Sequence, residues 1–417
     1  MIRSIFLYFA LFTVISIQAQ DKLEYLESNR HDLRATNFLF PETDFNILGF
    51  GALHGSSKTY ETELGLIKAL KRQGLFEYYI IETNYSQAYY FQNYLNSGDE
   101  DLLKELTFGF QTIVAQEGTV ETFNHWKNLR ALHLKHPDKP IKVLGCDVVN
   151  EYRFPMKHIL ELTTNDTAWS QREKLKKALE QDRKDFSIWN KDLNEIIKSF
   201  IDDYRTYRTK YVSLVLDVEI FEHILKNIYH NFEDQRVREK IIFDNYVMFQ
   251  KKLGLADKKQ FVKYGYFHIQ KYREGNHPSF FTRLIEQKVY SREKVITVMG
   301  YLTKSKVLWD KVYDKEGNYK SYTTKSGFGI SDYWREYFKG IKKLKNQKLS
   351  DQTMFRLNKK NSPYGKDTDL VELKMIFKDY NTTKLEGKNT LQFIDYAILI
   401  SDSKEQIPLE ELDERVK

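Results

Sequence analysis

Residues 45–57 read FNILGFGALHGSS, and this stretch decides the fold class of the chain. Its first part, Phe45–Gly51, is an apolar run with aromatic and β-branched residues, which predicts a buried strand. A short turn follows, and then Leu64, Ile67 and Leu70 recur at helical spacing. A strand that leads through a turn into a helix is typical of a βα unit in a parallel sheet.

Further apolar segments resemble this first strand in composition. They are Tyr78–Thr83, Ile141–Asp147, Phe261–His268, Lys294–Gly300 and Phe393–Ile400. Most of them are apolar on both faces, as expected of strands that are covered by helices on both sides. The sequence therefore predicts a three-layer α/β fold with a largely parallel central sheet flanked by helices.

The pattern changes between residues 156 and 255, where helical spacing continues with almost no Pro or Gly. Leu193, Ile197, Phe200 and Tyr204, for example, fall on one helical face. We interpret residues 156–255 as an all-helical insertion. The α/β core is then discontinuous and comprises residues 21–155 and 256–417.

The first twenty residues, MIRSIFLYFALFTVISIQAQ, have the features of a secretory signal peptide. Arg3 precedes an apolar run that is shorter than the roughly 20 residues of a spanning helix, and Ala19 is a plausible cleavage residue. An uncleaved membrane anchor is the competing interpretation. We expect an exported protein, periplasmic or secreted, with no membrane span after cleavage near Ala19.

The overall composition excludes several classes of protein. Of 417 residues, 41% are hydrophobic and 15% aromatic, which excludes a disordered chain. The net charge of +7 arises from 65 basic and 58 acidic residues, a mixed surface that does not predict nucleic-acid binding. The single cysteine, Cys146, excludes internal disulfides and zinc ribbons. A small molecule or a peptide is the expected substrate class.

Polar residues close or follow four of the predicted strands: His54, Glu82, Asp147 and His268. Ligands of open α/β sheets bind at the carboxyl ends of the strands, and burying an unpaired carboxylate is unfavourable. The four residues together therefore predict a functional site at this edge. Taken singly, each of them also has a structural explanation as a helix cap, a salt-bridge partner or a surface residue.

The order and spacing of the motifs resemble the erythromycin esterase family and its wider superfamily, which includes Tiki proteases, TraB proteins and haem-binding ChaN lipoproteins. The resemblance spans residues 45–300. The matching motifs are LGFGALHG (48–55), YYIIE (78–82), HWKNLRALH (125–133), GCD (145–147), Arg238-Glu239 with Asn245, and KYGYFHI (263–269).

The resemblance implies ester hydrolysis with His54 as the general base that activates water. It also implies that Glu82 supports the site and that His268 lines it. An imidazole titrates near neutral pH, and a nearby carboxylate can hold its tautomer. Arg130 or Arg238 could stabilise a developing oxyanion. Asp147 fits the Gly-x-Asp strand end of the family, and Asn245 lies on the same helix face as Arg238.

The chain departs from the family pattern at three positions. Gly51 replaces an acidic residue, Ser57 replaces an arginine, and Gly265 replaces the first of two late histidines. Three hypotheses follow: a hydrolase, a non-catalytic protein that binds haem, a metal or a small ligand, and a metalloprotease. In the third, His54, Glu82 and His268 would bind a divalent metal. The sequence assigns no cofactor.

Overall fold

The computed structural model describes residues 22–412, except 113, 165–168, 182–184, 235, 331 and 377. The signal peptide predicted over residues 1–20 lies outside this part of the chain, and cleavage near Ala19 stays a prediction. None of the helices within the described ranges is both long and apolar enough to cross a membrane.

Strands and helices make up most of the described part of the chain. The strands are β1 (Arg30–Asp32), β2 (Ile47–Gly51), β3 (Tyr78–Ile81), β4 (Lys142–Gly145), β5 (Gln260–Lys263), β6 (Val295–Thr303), β7 (Lys306–Tyr313), β8 (Tyr319–Ser326), β9 (Asp332–Tyr333), β10 (Glu336–Phe338), β11 (Gln352–Arg356), β12 (Leu373–Met375), β13 (Lys378–Asp379) and β14 (Tyr396–Ser401). The helices are α1 (22–28), α2 (Ser57–Arg72), α3 (Tyr85–Ser97), α4 (Glu100–Phe110), α5 (Val120–Lys135), α6 (Arg153–Glu161), α7 (Ser170–Glu180), α8 (Lys191–Thr206), α9 (Arg208–Tyr211), α10 (Val218–Tyr229), α11 (Arg238–Lys252), α12 (Phe280–Glu286), α13 (Ile341–Asn346) and α14 (Thr390–Phe393).

The chain divides into two compact units. The first extends to Phe76 and resumes over Lys259–Gln406, and the second comprises Glu77–Lys258 and resumes at Ile407. The sheet strands of the first unit lie in the order β1, β11, β14, β6, β2, β5. The pairs β14–β6, β6–β2 and β2–β5 are parallel, whereas β1 and β11 form an antiparallel edge. In the second unit, β3 and β4 pair in parallel.

These elements confirm the predicted fold class, an α/β fold with a large, mostly parallel sheet flanked by helices. Strand β2 shows why its sequence is apolar on both faces. It lies between β5 and β6, and all five of its residues are buried. Gly49 is needed because a Cβ atom there would overlap the ring of Phe281, which packs on this strand.

The structure contains all of the predicted strands, but one prediction of strand length is wrong. We expected a strand over Phe261–His268, whereas β5 ends at Lys263 and Tyr266–Ile269 form a 3-10 turn. The turn forms after Gly265, whose carbonyl accepts a hydrogen bond from the His268 backbone N–H at 3.2 Å. His268 therefore lies in a turn beyond the strand.

The elements described between residues 156 and 255 are helices, as the sequence pattern predicts, and they belong to the second unit. Their core is aromatic: Trp169 is fully buried and stacks on Tyr211 and Phe200, with ring centroids 4.3 and 5.2 Å apart. The interpretation of residues 156–255 as an inserted domain stays a prediction.

Candidate functional site

The turn that carries His54 is fixed by the glycine that follows it. Gly55 has a φ of +86°, and a Cβ atom there would overlap the carbonyl oxygen of Leu308. The Gly55 carbonyl accepts hydrogen bonds from the backbone N–H groups of Leu308 at 2.8 Å and Gln406 at 2.9 Å. His54 itself is half-buried. The His-Gly pair thus places an imidazole just beyond the carboxyl end of β2.

The turn that carries His268 lies beside it. Strands β2 and β5 are adjacent and parallel, with Phe50 opposite Lys263, so both chains leave the sheet at the same edge. A Cβ atom on Gly51 would lie 3.1 Å from the Cα atom of Tyr266, which shows how closely the two turns pack. His268 is half-buried. The structure therefore carries both histidines on two turns that pack together in the first unit.

The same contact bears on one departure from the pattern of the erythromycin esterase family, the glycine at position 51. A Cβ atom on Gly51 would also lie 3.0 Å from Ile269, so a side chain at position 51 would require its neighbours to shift. The Tyr266 ring, which follows Gly265, packs against Phe338 at 5.6 Å. Burial raises the pKa of Tyr266 above its ordinary value, so this phenol stays neutral. Position 51, where the family pattern has an acidic residue, is therefore packed against Ile269 and Tyr266.

A charged cluster lies in the second unit, at the ends of β3 and β4. Arg238, the first residue of α11, donates from Nε and Nη2 to the two carboxylate oxygens of Asp147, at 2.9 and 2.6 Å. Its Nη2 also donates to Oε1 of Glu82 at 2.8 Å. Asp147 is fully buried and Glu82 nearly so. The structure thus brings together three of the predicted residues: Glu82, Asp147 and Arg238.

Gly145 makes this juxtaposition possible. The chain after β3 passes so close to β4 that a Cβ atom on Gly145 would overlap the backbone oxygens of Thr83 and Asn84. The backbone N–H of Asp147 donates to the Thr83 carbonyl at 2.9 Å, which locks the two strand ends together. The side chain of Asn84 then caps α3 by accepting from the Gln87 N–H. The Gly-x-Asp spacing therefore reflects close backbone approach.

Two buried asparagines hold the end of β4 from the helical side. Nδ2 of Asn245 donates to the Cys146 carbonyl at 2.9 Å, and Nδ2 of Asn227 donates to the Asp147 carbonyl at 3.0 Å. The resemblance indicated Asn245, but sequence reasoning missed Asn227. The available signal was a polar residue within the apolar helical pattern of Ile220–Ile228.

Sequence reasoning also missed Arg236, which lies beside the same strand end. Its Nη2 donates to the Val149 carbonyl at 3.1 Å and to Oδ1 of Asn150 at 2.9 Å. Burial lowers the pKa of Arg236, and the charge of Asp147 opposes that effect. The cluster around Asp147 thus contains two guanidinium groups and two carboxylates.

Arg238 forms ion pairs with two carboxylates, and one of its nitrogen atoms takes no part in them. Burial on its own would lower the pKa of Arg238, but the charges of Asp147 and Glu82 outweigh it and raise the pKa. Its side chain is 36% exposed, and Nη1 has no hydrogen-bond partner among the described residues. Arg238 therefore fixes both carboxylates and can still donate to a ligand from one face.

Arg130 lies elsewhere in the second unit. It belongs to α5, and its Nη2 donates to the Ser97 carbonyl at the C-terminal end of α3, at 3.4 Å. The N-terminal end of the same helix, at Asn84, lies next to Glu82. A helix of 13 residues is about 20 Å long, so the structure does not bring Arg130 together with Glu82, Asp147 and Arg238.

The metal hypothesis named His54, Glu82 and His268 as ligands. Within the described residues, no group of three or more His, Cys, Asp or Glu side chains is arranged to hold a metal ion. Glu82 moreover faces the cationic guanidinium of Arg238 at 2.8 Å, and like charges repel a divalent cation from this position. The metal hypothesis therefore stays a prediction.

The second unit also contains a cluster of aromatic rings and histidines. His158 stacks on Tyr89 at 4.1 Å, and His223 packs edge-on against Phe249 at 4.8 Å. Tyr85, the first residue of α3, stacks on Phe249 at 4.6 Å. Burial lowers the pKa of His158 to about 4 and that of His223 to about 3, so both imidazoles are neutral at pH 7.

The comparisons with known proteins show the fold. No protein-family model and no curated protein matches the sequence. Among solved structures, a protein from Bacillus cereus is 13% identical with a TM-score of 0.58, covering 94% of this chain and 99% of that chain. A succinoglycan biosynthesis protein is 14% identical with a TM-score of 0.63, covering 93% and 98%.

The third solved structure is an erythromycin esterase, EreC, determined as a mutant in its open conformation. It is 12% identical to this chain, with a TM-score of 0.57, and the match covers 87% of this chain and 92% of EreC. Because all three identities are low, the likeness extends to the arrangement of helices and strands and not to particular side chains.

Proposed function

We propose that this protein is a hydrolase that adds water across an ester-like or amide-like bond, with His54 as the general base. One observation carries the proposal: His54 and His268 occupy adjacent turns at the carboxyl edge of neighbouring parallel strands. This edge is where α/β sheets bind their ligands. The fold likeness to an erythromycin esterase supports the same reaction class.

The proposed reaction needs only a base that can also act as an acid. The neutral imidazole of His54 takes a proton from water as the water oxygen attacks the carbonyl carbon. The tetrahedral intermediate collapses and the bond to the leaving group breaks. The leaving oxygen or nitrogen then takes the proton from the imidazolium, which restores the neutral base. His268 is proposed to contact the substrate as the second imidazole of this edge.

The charged cluster of the second unit is proposed to bind an anionic group. Arg238 has one donor group that is not committed to Glu82 or Asp147, and a guanidinium group forms strong hydrogen bonds with anions. The two carboxylates hold the guanidinium in a fixed orientation, which is what such a donor requires. In this proposal, Glu82, Asp147 and Asn245 support Arg238 and do not react themselves.

The alternative is a non-catalytic protein that binds a small ligand on the same scaffold. A specific observation favours it. The family pattern places an acidic residue beside the base, whereas this chain has Gly51 there, packed against Tyr266 and Ile269. Under this alternative, both histidines contact a ligand without transferring a proton.

The two functions are distinguished by hydrolysis of p-nitrophenyl acetate and a panel of lactones. We expect His54→Ala to lower kcat/KM by about 100-fold or more, as general-base removal does. His277→Ala is the matched control, because His277 is an exposed histidine of the same unit. Equal rates for the His54→Ala and control proteins would contradict the base assignment. Absent hydrolysis, together with a ligand that is bound by the wild type and lost in His54→Ala, would establish the binding alternative.

A further inference from the structure

A separate pocket lies on the helical part of the second unit. It encloses a volume of about 370 Å³ between α8, α9 and α10. Its lining residues are Tyr204, Arg205, Arg208, Glu222, Leu225 and Lys226. Lys226 precedes Asn227, which bonds to the end of β4, but successive helix residues point about 100° apart. The pocket is therefore on a different face of α10 from the charged cluster.

One part of the pocket wall is internally neutralised. Glu222 accepts a hydrogen bond from the Tyr204 hydroxyl at 2.8 Å and from Nε of Arg208 at 2.6 Å. This pair of contacts raises the pKa of Arg208, chiefly through the hydrogen bond to Glu222. Arg208 and Glu222 thus form a fixed, neutral pair at the rim.

Two other cations of the wall are not neutralised. Arg205 and Lys226 make no ion pair or side-chain hydrogen bond with any residue in the described part of the chain. The guanidinium carbon of Arg205 lies 3.7 Å from the ring centroid of Tyr229. Stacking on an aromatic ring orients the guanidinium while its N–H donors stay available. The pocket therefore has two uncompensated positive charges, one of them held in place.

We propose that this pocket binds a small organic molecule through an oxyanion, a carboxylate or a phosphate. Arg205 supplies a planar fork of donors that matches either group, and Lys226 supplies a second charge. Tyr204 and Leu225 also line the pocket but are only 2% and 3% exposed, so the two cations provide most of the surface that the ligand contacts. The volume lies in the range of small-molecule sites, roughly 300–1,000 Å³. The presence of Glu222 in the wall disfavours an extended polyanion, whose charges would meet this carboxylate.

The test is a titration of the full mature protein with phenyl phosphate and, separately, with benzoate, followed by isothermal calorimetry. Both probes combine an oxyanion with an apolar ring, and their comparison identifies the preferred oxyanion. We expect Arg205→Gln and Lys226→Gln each to weaken binding about tenfold or more, as loss of a hydrogen bond between charged groups does. Lys174→Gln is the matched control, since Lys174 is an exposed lysine of α7 outside the pocket.

The outcomes separate the proposal from a general charge effect. Weaker binding in Arg205→Gln and Lys226→Gln, with wild-type binding in Lys174→Gln, supports the pocket. Equal binding by all variants, or no saturable binding of either probe, overturns it, as does binding of heparin without binding of the small probes. Arg205 is exposed, so these variants should fold, and circular dichroism melting checks that they do. The result is independent of the proposed hydrolase activity.

Discussion

At the scale of single residues, Arg238 has the most consequential set of contacts. Arg238→Gln leaves the fully buried Asp147 and the nearly buried Glu82 without their cation. Removal of one partner from a buried ion pair costs about 3–5 kcal/mol. We expect about 3 kcal/mol, because the Arg238 side chain is 36% exposed. Urea unfolding measures the change. The control is Lys240→Gln, which breaks an exposed pair with Asp244 on the same helix, and an equal loss in both variants would contradict the assignment.

Replacement by alanine should change the stability of the protein in opposite directions at Gly51 and at Gly65. A Cβ atom on Gly51 would lie 3.0 Å from Ile269 and 3.1 Å from Tyr266, so Gly51→Ala should lower the free energy of unfolding by about 1–3 kcal/mol through overpacking. Gly65 lies inside α2, where the nearest atom to such a Cβ is 3.9 Å away. Gly65→Ala should therefore raise the free energy of unfolding by about 0.5–1 kcal/mol. Thermal melts of both variants that shift in the same direction would refute this account.

At the scale of elements, the packing of α3, α6, α10 and α11 predicts a pH dependence. His158 and His223 have folded-state pKa values of about 4 and about 3, below the ordinary 6.5. The unfolded chain therefore binds more protons than the folded chain below pH 6.5. The contribution of the two histidines to the free energy of unfolding is fully present above pH 6.5. It decreases as the pH falls towards 4, by up to about 2 kcal/mol per histidine between pH 6.5 and 5.

Urea unfolding at several pH values between 4.5 and 7.5 measures this slope. Replacement of the buried imidazole in His223→Phe should make the slope shallower, since one titrating group is removed. The control is His136→Gln, because this half-buried histidine follows α5 and is not part of the aromatic cluster. A slope unchanged in His223→Phe, with the fold intact, would show that other groups cause the acid sensitivity.

Two amides bond α10 and α11 to the end of β4, in addition to the ion pair of Arg238 with Asp147. Asn245→Leu removes the donor to the Cys146 carbonyl and leaves a buried acceptor unpaired. Such a loss costs about 1–3 kcal/mol. We expect faster amide exchange at Asp147 and Val148 in this variant, measured by hydrogen–deuterium exchange. Asn128→Leu, on an exposed amide of α5, should leave that exchange unchanged.

At the scale of the whole molecule, the sequence predicted the buried central strands better than the edge strands and the turns. Composition alone locates β2, β3, β4, β6 and β14, because strands covered on both faces must be apolar. It does not locate the antiparallel edge formed by β1 and β11, whose sequences are short and mixed. It also extended β5 through His268, since nothing local distinguishes an aromatic strand from an aromatic 3-10 turn after Gly265.

The candidate site was predictable only in part for a related reason. His54, Glu82 and Asp147 could be found because each is polar at the end of an apolar run. The ion pair of Arg238 with Asp147 joins residues 91 positions apart, and no local pattern encodes such a contact. Asn227 stands out locally as a polar residue in an apolar helix, but nothing local indicates its hydrogen bond to the Asp147 carbonyl, 80 positions away. Arg130 matched a motif although the structure places it at the far end of α3.

The export hypothesis gives a prediction for the intact chain. The ammonium group of Lys22 is buried and bonds to Asp369 at 2.7 Å and to Asp367. Cleavage after Ala19 leaves this anchor in the mature protein, whereas cleavage a few residues later would remove it. Mass spectrometry of protein recovered from a secreting host should show a chain that begins at Gln20. A mass that includes the first 19 residues would contradict cleavage.

The two hydrogen bonds to the Gly55 carbonyl have a consequence for biosynthesis. The donors, Leu308 and Gln406, are more than two hundred residues further along the chain. A ribosome therefore makes the His54 turn long before it makes either of the two residues that donate to the Gly55 carbonyl. A chain that is truncated before Gln406 therefore contains a His54 turn whose Gly55 carbonyl lacks one of its two hydrogen bonds.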